Sequence, residues 1–275
     1  MAHLTCNFFS KSLMRTVDIT VILPTDKFVA TDPHFKPQST FKTLYLLHGI
    51  LGSTTDWIVG TRIAAWAAEK NLAVVMPSGE NKFYVDQPDH MEYFGEFIGQ
   101  ELVDFTRRTF PLSSKREDTF IGGLSMGGYG ALRNGLKYHD TFGSIVALSS
   151  ALILDDVYTS SYDNPNLIGN RHYYESVFGD LSKLKGSDKD YYALIDGLKK
   201  EDIPHIYMAC GNDDHLLKKQ NDAFHQHLLE RDIPHEYQTG PGGHDWVFWD
   251  TFIHKALDWL PLDDASAGVS SGHVQ

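Results

Sequence analysis

"TFIGGLSMGGYGAL", Thr119 to Leu132, crowds glycines around one serine. Its first residues are apolar or small and read as a buried strand, and the stretch from Met126 reads as a helix. Ser125 then stands at a strand-to-helix turn, inside Gly123-Leu124-Ser125-Met126-Gly127, a G-x-S-x-G match. Such a turn strains the serine backbone and thrusts the hydroxyl out above a sheet, and the flanking positions must be small. The free N–H groups at the start of the following helix favour negative charge developing at the same spot. The pentapeptide alone is a weak signal, since a glycine-rich turn with an incidental serine spells the same string. The strand before it and the helix after it supply the context that makes Ser125 a candidate nucleophile.

Working outward, short apolar runs alternate with amphipathic stretches. "KTLYLLHG" (Lys42 to Gly49), "LAVVMPSG" (Leu72 to Gly79), "DTFIGG" (Asp118 to Gly123), "SIVALSS" (Ser144 to Ser150) and "HIYMACG" (His205 to Gly211) read as buried parallel strands. "TVDITVILP" (Thr16 to Pro24) alternates with period two, as a half-exposed antiparallel strand does, and "HLTCNFFS" is its hairpin partner. "HEYQT" (His235 to Thr239) is a weaker eighth strand. Helices are expected over Arg62 to Lys70, over a face of Phe94, Ile98, Leu102 and Phe105, over Met126 to Tyr138, over Leu217, Asn221, Phe224 and Leu228, and over Asp245 to Leu260. Strands alternating with helices predict an α/β fold, with a mostly parallel, doubly wound, eight-stranded sheet covered on both faces. Residues 1–262 are expected to form one domain. Residues 155–200, rich in Tyr, Asn, Ser and Gly, read as an insertion over one end of the sheet, before the seventh strand. Residues 263–275 are small and polar and are expected to be disordered.

The composition narrows the function. The chain has 275 residues, 42% hydrophobic and 22% charged, and a net charge of -12. That balance argues against nucleic acid or an anionic membrane as partner. Two cysteines, Cys6 and Cys210, exclude a disulfide scaffold and fit a reducing compartment. With no apolar leader at the start and no run of about 20 apolar residues, a cytoplasmic protein is expected. A homo-oligomer stays open.

A serine hydroxyl needs a base, and the base an orienting partner. Fourteen histidines make chance matches easy, so position decides. His215, His225 and His227 fall on an amphipathic helix and read as solvated surface. His244, in "GPGGHDW", lies in a glycine-rich loop between the last strand and the last helix, where the order Ser, acid, His places the base. The acid should follow the preceding strand, in "CGNDDHL". Either Asp213 or Asp214 could orient an imidazole while the other caps the next helix, and spacing does not separate them. An oxyanion hole needs two backbone N–H donors. Met126, after the serine, supplies one, and Ile50, in the loop "LLHGILGSTTDW" after the third strand, the other. His48 reads as a residue that holds this loop, without proton transfer.

Metal and dinucleotide chemistry find no support. "HEYQT" lacks the second histidine of a zinc helix, "NDD" lacks the spacing of a calcium loop, and no G-x-G-x-x-G follows a first strand. Neither a metal nor a cofactor is expected. Two rivals of another kind remain: acyl transfer to an acceptor other than water, and a non-catalytic binding protein on the same scaffold.

"LYLLHGILGSTTDW", "VVMPSGENKFYVD", "SKREDTFIGGLSMGGYGAL", "CGNDDHLL" and "GGHDWVFW" together resemble the esterase D group of the α/β-hydrolases over roughly Thr16 to Leu260. The nearest branch is the bacterial tributyrin and acetyl esterases, with S-formylglutathione hydrolases, feruloyl esterases and mycolyltransferases further off. The resemblance implies a serine carboxylesterase acting on short acyl esters without metal or cofactor. Its G-x-x-D pattern, followed two residues on by an apolar residue, falls on Gly211 to Leu216 and implies Asp214 as the acid. It also implies that residues 155–200 shape the acyl or alcohol pocket, and that Phe83 or Tyr84 faces it, with a core role as the equal alternative. Trp57 is a further candidate for the pocket lining, with a packing role as the alternative.

Overall fold

The structure, a computed structural model, describes residues 1–28, 39–263, 265, 268 and 269. Apart from a two-residue ribbon pairing Asp86–Gln87 with Glu92–Tyr93, the strands of the described residues are β1 (Ala2–Ser10), β2 (Arg15–Leu23), β3 (Thr43–Leu47), β4 (Ala73–Pro77), β5 (Thr119–Leu124), β6 (Ser144–Leu148), β7 (His205–Gly211) and β8 (His235–Gly240). They form one sheet in the order β1-β2-β4-β3-β5-β6-β7-β8. β1 pairs antiparallel with β2, and β2 antiparallel with β4; every later pairing is parallel. All eight expected strands are present.

β2 departs from a simple alternation. Its first half alternates, but Ile19 to Leu23 are all buried. The reason is register: Ile19 to Ile22 lie against Pro77 to Val74 of β4, so this half is an interior strand with both faces covered. The same holds for β3 and β4, in which every residue is buried.

Alternate residues of these strands feed two cores. Tyr45, Leu47, Val75, Ile121, Ile145 and Met208 face one side, and Leu44, Leu46, Val74, Phe120, Val146 and Tyr207 face the other. Each fully buried Leu, Ile or Val side chain stabilises the fold by about 1.5–3 kcal/mol, which is why the central strands can be apolar without a break. Helix α1 (Ile63–Glu69) covers the second side. Helices α2 (Leu102–Thr109) and α3 (Met126–Lys137) cover the first.

α2 is preceded by a helical turn over Phe94–Glu96 and a π-helical turn over Phe97–Glu101. The wide turn rotates the downstream face, so Phe97 and Val103 join Phe94, Ile98 and Leu102 in the core, while Phe105 is only partly buried. It also aims Glu101 into the β1–β2 hairpin turn. There its carboxylate accepts from Ser10 Oγ at 2.7 Å and from the N–H groups of Lys11 and Ser12 at 2.6 and 3.0 Å.

Between β6 and β7 lie a helical turn (Leu154–Tyr158), α4 (Arg171–Phe178) and α5 (Tyr191–Gly197). Tyr174, Val177, Phe178, Leu181, Tyr191 and Ile195 join the first core, so the insertion shares the apolar interior of the sheet. Polar bonds pin it to α3. The buried Arg133 donates through Nε to Asp188 O at 2.8 Å and pairs with the Asp188 carboxylate, and Tyr129 Oη donates to Lys189 O at 2.7 Å. α6 (Lys218–Glu230) follows β7 on the first side, and α7 (Trp246–Trp259) follows β8 on the second. Of the tail, Ala265 N–H meets Glu69 O at 2.6 Å and Val269 N–H meets Phe28 O at 2.7 Å, so these positions rest on the body of the protein. The other tail residues after Asp263, apart from Gly268, lie outside the described residues. No helix among the described residues is long and apolar enough to cross a membrane.

Candidate active site

Ser125 sits between the end of β5 and the start of α3, with φ +53° and ψ −118°, outside the ordinary regions for a side-chain-bearing residue. Its surroundings hold it there. Its N–H donates to Leu148 O at 2.9 Å, and its carbonyl accepts from Tyr129 N at 3.1 Å and from Ala151 N at 2.9 Å. Two glycines make the turn sterically feasible. A Cβ on Gly123 would lie 2.4 Å from Gly127 O, and a Cβ on Gly127 would lie 2.4 Å from Leu47 O. These obstacles are backbone atoms, which cannot swing aside, so both flanks of the serine must be glycine.

The candidates for base and acid arrive from two other loops. Asp214 follows β7 and is buried, and His244 directly precedes Asp245, the N-cap of α7. His244 Nδ1 lies 2.9 Å from Asp214 Oδ2, and His244 Nε2 lies 3.1 Å from Ser125 Oγ. A carboxylate only accepts, so Nδ1 carries the proton and Nε2 is left to accept from the serine hydroxyl. Asp214 Oδ1 accepts from the N–H groups of Leu216 and Leu217 at 3.1 and 3.0 Å. Burial pushes the Asp214 carboxyl up, but His244 and these two N–H groups outweigh it and hold the group below the usual carboxylate range.

Asp214 therefore does two jobs that the sequence divides between neighbours: one oxygen orients the imidazole, and the other closes the turn into α6. Asp213 is exposed, and its N–H donates to Gly242 O at 3.0 Å, tying the acid loop to the base loop. Of the remaining histidines, His215 lies ahead of α6 rather than on it. His225 and His227 are half-buried and partnered, His225 Nδ1 with His235 Nε2 at 2.7 Å and His227 Nε2 with Asp196 Oδ1 at 2.8 Å. They are not simple solvated surface, and none of the three joins Ser125.

The loop after β3 is braced from four directions. Trp57 Nε1 donates to Leu47 O at 3.0 Å, Tyr84 Oη to His48 O at 2.9 Å, Gly79 N–H to His48 Nε2 at 2.9 Å, and Leu51 N–H to Asn81 Oδ1 at 2.8 Å. His48 Nδ1 lies 2.6 Å from Gly49 O, so one neutral tautomer satisfies both ring nitrogens. Burial lowers its tendency to protonate below the ordinary imidazole value. His48 is thus a brace, as expected. The N–H groups of Ile50 and Met126 have no hydrogen-bond partner among the described residues.

Of the two readings of the aromatics, pocket lining and core packing, their positions favour the second. Trp57, Phe83 and Tyr84 are only 1%, 3% and 0% exposed. Trp57 packs edge-on against Trp246, Phe83 against Tyr129 and Phe178, and Tyr84 supports the His48 carbonyl. They are core and support residues rather than an open lining, because the apolar interior on both sides of the sheet reaches up to this loop. Sequence reasoning missed Asn81, which takes the Leu51 N–H, and Trp249, whose ring stands edge-on to His244 at 4.9 Å. The one available signal for Trp249 was its place one helical turn after His244.

The chain is similar to known proteins over most of its length. The family described as "Putative esterase" matches residues 10–260. An acetyl esterase of Caldicellulosiruptor saccharolyticus is 49% identical over 265 residues, covering 94% of this chain and 98% of the relative. A substrate-bound fluorophosphonate-binding serine hydrolase F of Staphylococcus aureus superposes with a TM-score of 0.81 at 32% identity, over 94% of this chain and 98% of that one. An S-formylglutathione hydrolase of the same organism superposes with a TM-score of 0.79, also at 32% identity and over the same shares. The chain belongs to this esterase family, and it is a carboxylic ester hydrolase with the α/β-hydrolase fold.

Proposed function

We propose that the protein hydrolyses short-chain acyl esters through Ser125, His244 and Asp214, by way of an acyl-enzyme. The observation that carries this reading is the unbroken line from Asp214 Oδ2 to His244 at 2.9 Å and from His244 to Ser125 Oγ at 3.1 Å. Ser125 attacks the ester carbonyl as His244 Nε2 takes its proton. Asp214 holds the tautomer and stabilises the imidazolium. The N–H groups of Ile50 and Met126 bind the oxyanion, and each such donor typically lowers the barrier by about 3 kcal/mol. The alkoxide leaves with the proton from His244. Water then attacks the acyl-enzyme, with His244 first as base and then as acid, and Ser125 is restored.

The 49% identity to an acetyl esterase supports a small acyl group. A second reading, hydrolysis of a thioester, is favoured by the 32% identity to an S-formylglutathione hydrolase along nearly its full length. Both use the same residues. We read residues 1–262 as one domain, with residues 155–200 forming part of the pocket wall. The two free cysteines support a reducing, cytoplasmic setting.

The test is a p-nitrophenyl ester series from acetyl to decanoyl, with S-formylglutathione and methyl ferulate, on wild type and Ser125→Ala. Turnover should peak at the short acyl chains. Ser125→Ala should lose about 10⁴-fold or more in kcat with an unchanged melting midpoint. Undiminished turnover in that variant would remove Ser125 from the reaction. A preference for the thioester would keep the residues and change the substrate.

A further inference from the structure

Behind Asp214, buried side chains close a ring that the reaction as described leaves unused. Trp249 Nε1 donates to Ser149 Oγ at 3.1 Å. The Ser149 hydroxyl favours the charged form of the Cys210 sulfur, against the larger effects of burial and Asp214. Cys210 Sγ lies 3.6 Å from Asp214 Oδ2, the same oxygen that holds His244 Nδ1. The Trp249 ring stands at 88° to the His244 ring, which closes the circuit. Ser149, Cys210, Asp214 and Trp249 are all buried. Ser149 has φ +42° without being glycine, and its N–H is fixed on Ala209 O at 2.7 Å. Strain of that kind persists only where the surroundings over-determine it, and it gathers at working sites.

The chemistry of the groups sets the direction of each bond. An indole N–H only donates, so Ser149 Oγ accepts there and its own proton is free for the sulfur. A carboxylate only accepts, so the thiol donates to Asp214. Burial, and then the Asp214 charge, push the Cys210 thiol up to about 12, so the sulfur keeps its proton through the neutral range.

We propose that Cys210 is a positioning residue for ester hydrolysis: its thiol, oriented by Ser149 and Trp249, is a further donor to the Asp214 carboxylate and fixes Oδ2 on His244. This rests on the roles given above to Ser125, His244 and Asp214. Donors share the charge of the carboxylate. Without the thiol, Oδ2 is free to turn away from His244 Nδ1, which costs turnover, and the carboxylate, with one donor fewer, holds the imidazolium more tightly. The other charged or titratable groups nearby make their bonds elsewhere, although the Lys218 charge reaches the Cys210 sulfur and Tyr237 feels Cys210 and Asp214. Lys218 pairs with Asp222, Tyr237 Oη donates to Asp222 Oδ1 at 2.6 Å, and Asp245 accepts from the N–H groups of Gly243 and Phe248.

The test is the pH profile of kcat/KM for p-nitrophenyl acetate in wild type, Cys210→Ala, Cys210→Ser and Trp249→Phe, with melting midpoints and Ser125→Ala as control. Cys210→Ala should lose about 3–10-fold in kcat with KM within about twofold, and its acid limb should move up by about half a pH unit. Cys210→Ser restores a donor and should return both toward wild type. Trp249→Phe keeps the ring, frees Ser149, and should move the limb up by less. A folded Cys210→Ala with the wild-type limb and kcat overturns the proposal, as does a lower melting midpoint with no movement of the limb. Should Cys210→Ala fail to fold, an unmoved limb in Trp249→Phe and Ser149→Ala overturns it instead. A dead Ser125→Ala beside an unmoved limb confines the failure to Cys210. An active Ser125→Ala takes the whole reading with it.

Discussion

The serine side of the site and the imidazole side are held by opposite means. At the serine, space is the agent. Gly123 and Gly127 lie four residues apart, and any side chain at either would strike backbone at about the same distance, 2.4 Å. At the imidazole, attraction is the agent. Asp214 and His244 come from loops thirty residues apart, joined by Asn212 N–H to Gly240 O at 2.8 Å, Asp213 N–H to Gly242 O at 3.0 Å, and the Asp–His contact itself. A steric fit fails all at once, because backbone cannot yield. A hydrogen-bonded fit loses one bond at a time, each worth about 1 kcal/mol of stability, while the proposed chemistry still depends on every member.

The largest effect should therefore come from the smallest side chain. In Gly127→Ala the new methyl would lie 2.4 Å from Leu47 O and 2.6 Å from His48 O, pushing the Ile50 loop away from the serine. A cost of about 4 kcal/mol or more is expected, in the range of severe core lesions. It should appear as a fall of about 10 °C in the melting midpoint or as loss of soluble protein. A variant melting within about 2 °C of wild type would show that the serine turn can yield, and the contrast would collapse.

Asp214→Asn probes the other side. The amide oxygen can still accept from Leu216 and Leu217 N–H, so the turn into α6 survives. The amide nitrogen, however, presents a donor to His244 Nδ1 and favours the wrong tautomer. Turnover should fall about 10³–10⁴-fold, while stability changes by less than about 2 kcal/mol. If this variant instead unfolds more readily than Gly127→Ala, the imidazole side is the less forgiving of the two.

The same contrast explains what the sequence could reveal. The serine turn was legible because its constraints lie within a dozen residues: an apolar strand, glycines at fixed offsets, and a helix. All eight strands were legible for a similar reason, since buried parallel strands are apolar without a break. The choice between Asp213 and Asp214 could not be made from the residues alone. The structure buries Asp214 against His244 and leaves Asp213 exposed, a difference set by contacts between two distant loops. The aromatics stayed open in the same way. Trp57, Phe83 and Tyr84 stand beside the site in sequence, but whether a ring faces solvent or the core is set by the helices packed over it. The π-helical turn at Phe97–Glu101 was equally hidden, because its partners in the hairpin turn lie some ninety residues away.

The smallest expected effect tests whether the serine side also depends on a hydrogen-bonded brace. His48 accepts from Gly79 N–H through Nε2, so protonation there would set donor against donor. Burial is the main cause that holds this imidazole below its ordinary value of 6.5, against the opposing pull of Gly49 O and Asp56. The sign follows from linkage. As pH falls through the ordinary imidazole range the unfolded chain takes up the proton first, so the contribution of His48 to stability is full above about 6.5 and declines as pH drops toward the folded value. His48→Gln keeps an acceptor for Gly79 and cannot titrate. Urea unfolding at about pH 7.5 and about pH 5 should show wild type losing more stability between the two than His48→Gln does. The other histidines are common to both proteins and cancel in that difference. Equal losses would mean that His48 is not the neutral brace of the Ile50 loop, and that glycine packing alone holds the serine side.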